Sequence, residues 1–209
     1  MNPLDPIADA VRPILDDRFA LRERAIVDGR RVIRSSANAI RSLHRGEAEQ
    51  AADLLAEAGQ LLAEITASIA GQPDFLHAGF VADAAKEFAE ATLTSRVFSG
   101  SDLPMPSDIG VEPIPYLHGL GETVGECRRR MLDLLRDGDL DGAERMLQNM
   151  DAIVDLLAGL DYPDGMTAGL RRTTDTARAL AERSTSDLTS TVVQERLRRD
   201  LAERLDPPQ

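Results

Sequence analysis

The sequence predicts an all-α fold, and three observations carry that prediction. Aromatic residues make up 3% of the 209, with five Phe, two Tyr and no Trp. A core must then be built from Leu, Ala, Ile, Val and Met, which favours helix over sheet. Apolar residues recur at alternating steps of three and four, most clearly at Leu140, Ala143, Leu147, Met150, Val154 and Leu157. That is the stripe of a helix with one buried seam. No run alternates apolar and polar residues at period two, so no segment reads as a strand.

Stop signals divide the chain into helical segments. The first runs from about 6 to His44-Arg45-Gly46, and the second covers about 47–70, ended by Gly71-Gln72-Pro73. A third covers about 74–99. Residues 99–115 hold four prolines and two glycines and read as a loop. A fourth segment, about 114–137, closes at Asp137-Gly138, and a fifth, 139–160, at Asp161-Tyr162-Pro163. A sixth fits 165–183. The seventh takes Ser186 or Asp187 as N-cap and runs to about Leu205. Helices of about 20 residues reach about 30 Å. Joined by short loops they make an antiparallel seven-helix bundle, a single domain over 1–209. A loop as long as 99–115 is usually functional or mobile.

Lys plus Arg is 24 and Asp plus Glu is 36, a net charge of −12 that excludes a simple basic nucleic-acid binder. Of the basic residues only Lys86 is lysine, and Asp outnumbers Glu. An acidic, Asp-rich, nearly Lys-free surface suits a salt-adapted (halophilic) source, because salt screens its self-repulsion. No stretch is apolar enough to span a membrane, and residues 1–14 lack the apolar run of a secretory signal. A cytoplasmic location is expected. Cys127 is the lone cysteine, so an internal disulfide and a multi-cysteine zinc site are excluded. It reads as a small buried residue.

Three segments are candidates for chemistry. Asp83, Glu87 and Glu90 are spaced by four and three and share one helix face. Glu122 and Glu126 are four apart and share another. Paired carboxylates on two helices suit Mg²⁺ or Mn²⁺, which take oxygen ligands and clamp phosphodiester oxygens. Composition alone reads either pair as a solvated face, since 36 of 209 residues are acidic. The second pair stands out because Gly119, Gly121 and Gly125 accompany it. Each glycine costs about 1 kcal/mol in a helix relative to Ala, which implies close approach to another helix or a ligand. The third segment is basic. Between Arg18 and Arg45 there are eight arginines against Glu23 and Asp28. Arg30, Arg34, Arg41 and Arg45 form one stripe, suited to sequence-independent phosphate contacts or to salt bridges with acidic neighbours. No aromatic stripe for base stacking accompanies it. His44, His77 and His118 are scattered, and no Glu-x-x-His spacing of a di-iron bundle is present. Nucleotide-binding and hydrolase motifs are also missing.

The run Tyr116-Leu-His-Gly-Leu-Gly-Glu-Thr-Val-Gly-Glu126-Cys-Arg-Arg resembles the Y-L-x-G-x-x-D/E-x-x-G-E-x-x-R signature of the translin superfamily. Glu87-Phe-Ala-Glu90-Ala resembles the E-Y-x-E-A element of its translin-associated factor X branch. Leu103-Pro-x-Pro, the segment from Leu170 to Arg178, and the Arg-rich first helix ending at Gly46 are similar to other parts of the family. The resemblance spans about 18–185. It implies a seven-helix fold and closed, hollow homo-oligomers, often octamers, that hold nucleic acid. Translin itself binds single-stranded DNA and RNA. The factor X branch is a Mg²⁺-dependent endoribonuclease with four acidic residues. Carried over, these are Glu87, Glu90, Glu122 and Glu126, as both catalytic and metal-holding residues. The third is usually Asp in that branch, so Glu122 is one methylene longer. The family's basic nucleic-acid segment has no clear counterpart around 73–85.

The expectation is therefore a single-stranded nucleic-acid-binding protein with a four-carboxylate, Mg²⁺- or Mn²⁺-dependent endoribonuclease site. Arg30, Arg34, Arg41 and Arg45 would neutralise phosphates of RNA, with DNA as a second ligand. The alternative is a non-catalytic single-strand-binding oligomer like translin. A third reading is a structural helical protein with no nucleic-acid ligand.

Overall fold

Helices dominate the structure, a computed structural model that describes residues 3–76 and 79–205. The chain is all-α, and no strand occurs among the described residues. The elements are α1 (Asp5–His44), α2 (Ala48–Ile69), α3 (Pro73–Leu76), α4 (Gly79–Ser99), α5 (Pro113–Asp137), α6 (Leu140–Ala158), α7 (Asp164–Thr167) and α8 (Leu170–Leu205), with one 3-10 turn at Pro106–Ile109. The chain divides into two compact units. One comprises Met1–Ser95 with Pro104–Tyr116, the other Arg96–Leu103 with Leu117–Gln209. No helix among the described residues is long and apolar enough to cross a membrane.

In the first unit α1 and α2 form a hairpin. Its tight turn needs a glycine, because Gly46 has φ +77°. Ala25, Val32, Ala39 and Ile40 of α1 and Ala58, Leu61, Leu62 and Ile65 of α2 are buried. Ser35 Oγ donates to Glu57 Oε2 at 3.0 Å and ties the two helices. Small residues admit α4 to this pair. A Cβ at Gly59 would lie 3.0 Å from the Phe88 ring, tighter than ordinary contact, whereas one at Gly29 would sit in ordinary contact 3.6 Å from the Phe80 carbonyl oxygen. The segment before α5 is the expected loop, pinned where the Tyr116 hydroxyl donates to the Pro104 carbonyl at 2.6 Å.

In the second unit the expected seam of α6 is in place. Ala143, Leu147, Met150, Val154 and Leu157 are all buried, and Asp139 caps the helix by accepting from the Gly142 N–H at 2.8 Å. Two boundaries differ from expectation. The sixth segment is broken at Ala168 and Gly169, where φ is +51° and +81°. The break near Ser186 is absent, and residues 170–205 are one helix. Its buried residues Leu170, Thr174, Ala177, Ala181, Ser184 and Leu188 keep helical spacing throughout. The Ser186 hydroxyl that suggested a cap instead donates back to the Glu182 carbonyl at 3.3 Å, as Ser184 does to Leu180 at 2.8 Å and Thr191 to Asp187 at 2.9 Å. The Asp187 carboxylate is taken by Arg128 at 2.8 Å.

The face of α5 toward α8 depends on Gly121. A Cβ there would overlap the Thr173 methyl and lie 3.3 Å from Leu157 Cδ1. The close approach inferred from the glycines is thus, at Gly121, an approach to another helix. His118 reinforces it. Its Nε2 lies 2.9 Å from the Thr167 carbonyl, which can only accept, so Nε2 carries the proton. Nδ1 then accepts from the Thr173 hydroxyl at 2.8 Å. With both ring nitrogens engaged, His118 is a strut between helices. Val124, Cys127 and Met131 complete the buried stripe of α5.

Three outcomes follow. Gly121→Val forces either overlap at Thr173 or rotation of that side chain away from His118. It should lower unfolding free energy by about 1–3 kcal/mol in chemical denaturation. Burial, with the nearby Glu126 charge, pushes the Cys127 thiol from its ordinary 9.0 up to about 12. Native protein should therefore resist iodoacetamide at pH 8.5 and react once denaturant is added. An unfolded chain ionises this thiol above about pH 9 while the folded one keeps its proton. Stability should accordingly fall as pH rises between about 9 and 12.

Candidate metal centre and nucleic-acid interface

Glu87 and Glu90 sit one turn apart on α4, within the first unit. Ala84, Ala85, Phe88, Ala89 and Ala91 are buried around them, so the carboxylates emerge from an otherwise apolar helix. Glu90 is only 9% exposed. Placing a carboxylate in so dry a position costs several kcal/mol unless charges or hydrogen bonds compensate. Glu87 is half-buried, and Lys86 Nζ lies 3.3 Å from its Oε1. Asp83, one turn earlier on the same face, is exposed and stands outside this setting.

Glu122 and Glu126 sit one turn apart on α5, within the second unit, and both are half-buried. Their neighbours Thr123, Val124 and Cys127 are fully buried, with the Thr123 hydroxyl donating to the Gly119 carbonyl at 3.0 Å. The acid pair therefore lies along the margin of the buried stripe of α5. Just beyond it come three arginines with different fates. Arg128 donates to Ser184 Oγ at 2.9 Å and to Asp187, and Arg130 stacks over the Phe98 ring at 5.9 Å. Arg129 is exposed. Within the first unit, Glu87 and Glu90 each offer a carboxylate oxygen of the kind a metal ion takes. An all-oxygen donor set fits Mg²⁺ or Mn²⁺ better than a soft metal.

The arginine stripe is on α1. Arg30, Arg34, Arg41 and Arg45 are all exposed, on the face opposite the buried Ala25, Gly29, Val32, Ser36 and Ile40. Arg41 donates to Asn38 within the same helix. Arg45 is held by Glu47 at 2.7 Å, which raises the arginine's pKa and lowers the glutamate's. Its charge is therefore partly neutralised, whereas Arg30 and Arg34 carry no ion pair among the described residues. Lys86 is the residue that pattern reading did not connect to the acid pair. The available signal was its being the chain's only lysine, set directly before Glu87. His77 lies outside the described residues.

No protein-family model matches the chain. It is 25% identical over 189 residues to an uncharacterised protein of Methanocaldococcus jannaschii, covering 90% of this chain and 83% of that one. Among solved structures it is similar to AfC3PO, with 31% identity, TM-score 0.82, and coverage of 89% of this chain and 97% of that one. The complex of AfC3PO with duplex RNA matches likewise, at 31% identity and TM-score 0.81, covering 89% and 96%. Apo-NeC3PO shares the fold, at 18% identity and TM-score 0.77, with 91% and 98% covered. A shared fold over nearly the whole length of both chains, with identity above 30% to AfC3PO, establishes that this chain belongs to the translin superfamily.

Proposed function

We propose that the protein is a divalent-metal-dependent endoribonuclease that acts on single-stranded RNA as a homo-oligomer. Its two units would act as one translin-like domain over 1–209, in the cytoplasm of a salt-adapted cell. The observation that carries this reading is Glu90, a carboxylate 9% exposed and one turn from the half-buried Glu87. A carboxylate kept that dry is poorly explained as a solvated face, and a cation offsets its cost. A relative at 31% identity has been solved with duplex RNA, which supports RNA as the ligand class.

In this proposal Glu87, Glu90, Glu122 and Glu126 hold Mg²⁺ or Mn²⁺. The bound ion supplies Lewis-acid activation of water and neutralises charge on the phosphodiester oxygens. The chain's own residues hold and orient. Half-burial restricts the rotamers of Glu87, Glu122 and Glu126. Lys86 steadies Glu87 at 3.3 Å. Exposed Arg30, Arg34, Arg41 and Arg45 neutralise flanking phosphates without reading sequence.

Labelled single-stranded RNA incubated with Mg²⁺, with Mn²⁺ and with EDTA tests this directly, beside Glu126→Gln and in salt matching the proposed source. Cleavage should need the metal and fall at least about 100-fold in the variant, more than loss of an outer partner of a metal ligand costs. Cleavage that survives both EDTA and Glu126→Gln would sink the assignment. RNA bound but intact in every lane would instead favour the non-catalytic binder. Arg34→Ala should weaken RNA binding uniformly across sequences. It should also reduce the slope of log K against log salt by about 0.7 for a single-strand phosphate contact, readable by fluorescence anisotropy.

A further inference from the structure

Lys86 is the chain's single lysine, and every other basic position is arginine. It stands in the acid-bearing turn of α4. Its Nζ lies 3.3 Å from Glu87 Oε1, and the two side chains are 25% and 27% exposed. Glu90, four residues on, falls on the same helix face as Lys86. The ammonium is therefore set beside the pair of carboxylates that the proposed function gives to a divalent cation.

Two features separate this contact from the ion pairs that hold the fold. The first is its reach. Arg128 joins α5 to α8 through Ser184 and Asp187, so its loss unties two helices. Lys86 meets Glu87, its neighbour in the same helix, and secures no second element by that contact. The second is its chemistry. Arginine grips a carboxylate with a planar fork, whereas lysine offers a compact, hydrated point charge on a flexible stem. A separation of 3.3 Å is longer than the about 2.7–2.9 Å of a tight charge-assisted hydrogen bond. The ammonium offsets the charge of Glu87 without being locked to it.

We infer that Lys86 is a stand-in cation, which neutralises the Glu87–Glu90 pair when no metal is bound and opposes the metal's entry. Two carboxylates one turn apart, one of them nine-tenths buried, repel each other and lose hydration. A positive charge beside them offsets that cost, so α4 keeps its acids in place before any metal arrives. The same charge repels a divalent ion that needs the same oxygens. To load the site the metal pushes the ammonium toward solvent, a movement the four-carbon stem permits. The inference rests on the metal-site reading and adds a threshold to it. The site fills only at metal concentrations high enough to displace Lys86.

Mn²⁺ binding to the full chain without RNA, followed by electron paramagnetic resonance of the free ion, tests it. The relevant site is the one lost in Glu90→Gln. Lys86→Met should bind Mn²⁺ there about tenfold more tightly, the effect of removing one charge close to a divalent ion in partly wetted surroundings. The sign discriminates, because loss of a lysine that only braced Glu87 would loosen the site and weaken binding. Lys86→Arg keeps the charge and should show no gain. Arg198→Met removes the arginine beside Glu195, makes the net charge of −12 more negative by the same one unit, and should also show no gain. Melting supplies a second readout. In EDTA, Lys86→Met should unfold at a lower temperature than wild type, and Mn²⁺ should raise its Tm by more. Lys86→Gln, with a polar tip, repeats both measurements if the apolar side chain disturbs folding. Equal or weaker Mn²⁺ affinity in the lysine-free variants overturns the inference, whatever they do to RNA binding. It leaves the metal site standing as long as Glu90→Gln abolishes binding. Absence of any Glu90-dependent Mn²⁺ site, in wild type and variants alike, overturns both.

Discussion

Close approach of helices through glycine is the constraint on which both acid-bearing helices depend. With so little aromatic volume, the chain fills space by bringing backbones together. Gly59 admits α4 to the α1–α2 pair, and Gly121 admits α5 to α8. Each close contact fixes the rotation of its helix about its own axis, and that rotation sets how deep a charged side chain sits. Glu90 is nine-tenths buried because Phe88 and the surrounding alanines must face inward. Glu122 and Glu126 are half-buried because Val124 and Cys127 occupy the stripe beside them. A carboxylate placed this way has few rotamers and little water, which favours a fixed cation over mobile counterions.

Charge is divided by what each group must do for the fold. Arg128 is committed to Ser184 and Asp187, and Arg130 to Phe98, so two members of the arginine run after Glu126 hold helices together. The arginines of α1 face away from its buried stripe, and Arg30 and Arg34 stay open to an external anion. A net charge of −12 describes the whole surface and conceals this basic strip. The sum over a chain says little about a ligand whose reach is one helix face.

Legibility varied with the source of each signal. The α6 seam was readable because burial repeats at helical spacing, and Ala143, Leu147, Met150, Val154 and Leu157 are all buried. The continuity of α8 was not. Ser184, Thr185 and Ser186 have the composition of a cap, and only the neighbouring helix shows that Ser184 belongs to the buried seam. Gly121 announced a close approach, yet its partner Thr173 lies 52 positions away and has no mark of its own in the sequence. His118 carried no motif in the sequence, and only the fold shows Thr167 and Thr173 taking both of its ring nitrogens.

What the sequence by itself determined is helix, the pairing of acids within each helix, the arginine stripe and the family resemblance. The first three are local, set by spacing along one chain segment, where a period of 3.6 residues makes neighbours of positions three and four apart, and the resemblance is a linear order of such segments. Only the tertiary structure decided which acids are dry and which arginines are already paired. Those properties depend on what another segment brings alongside. Spacing within a helix carries no record of that, because burial is a relation between segments and not a property of one.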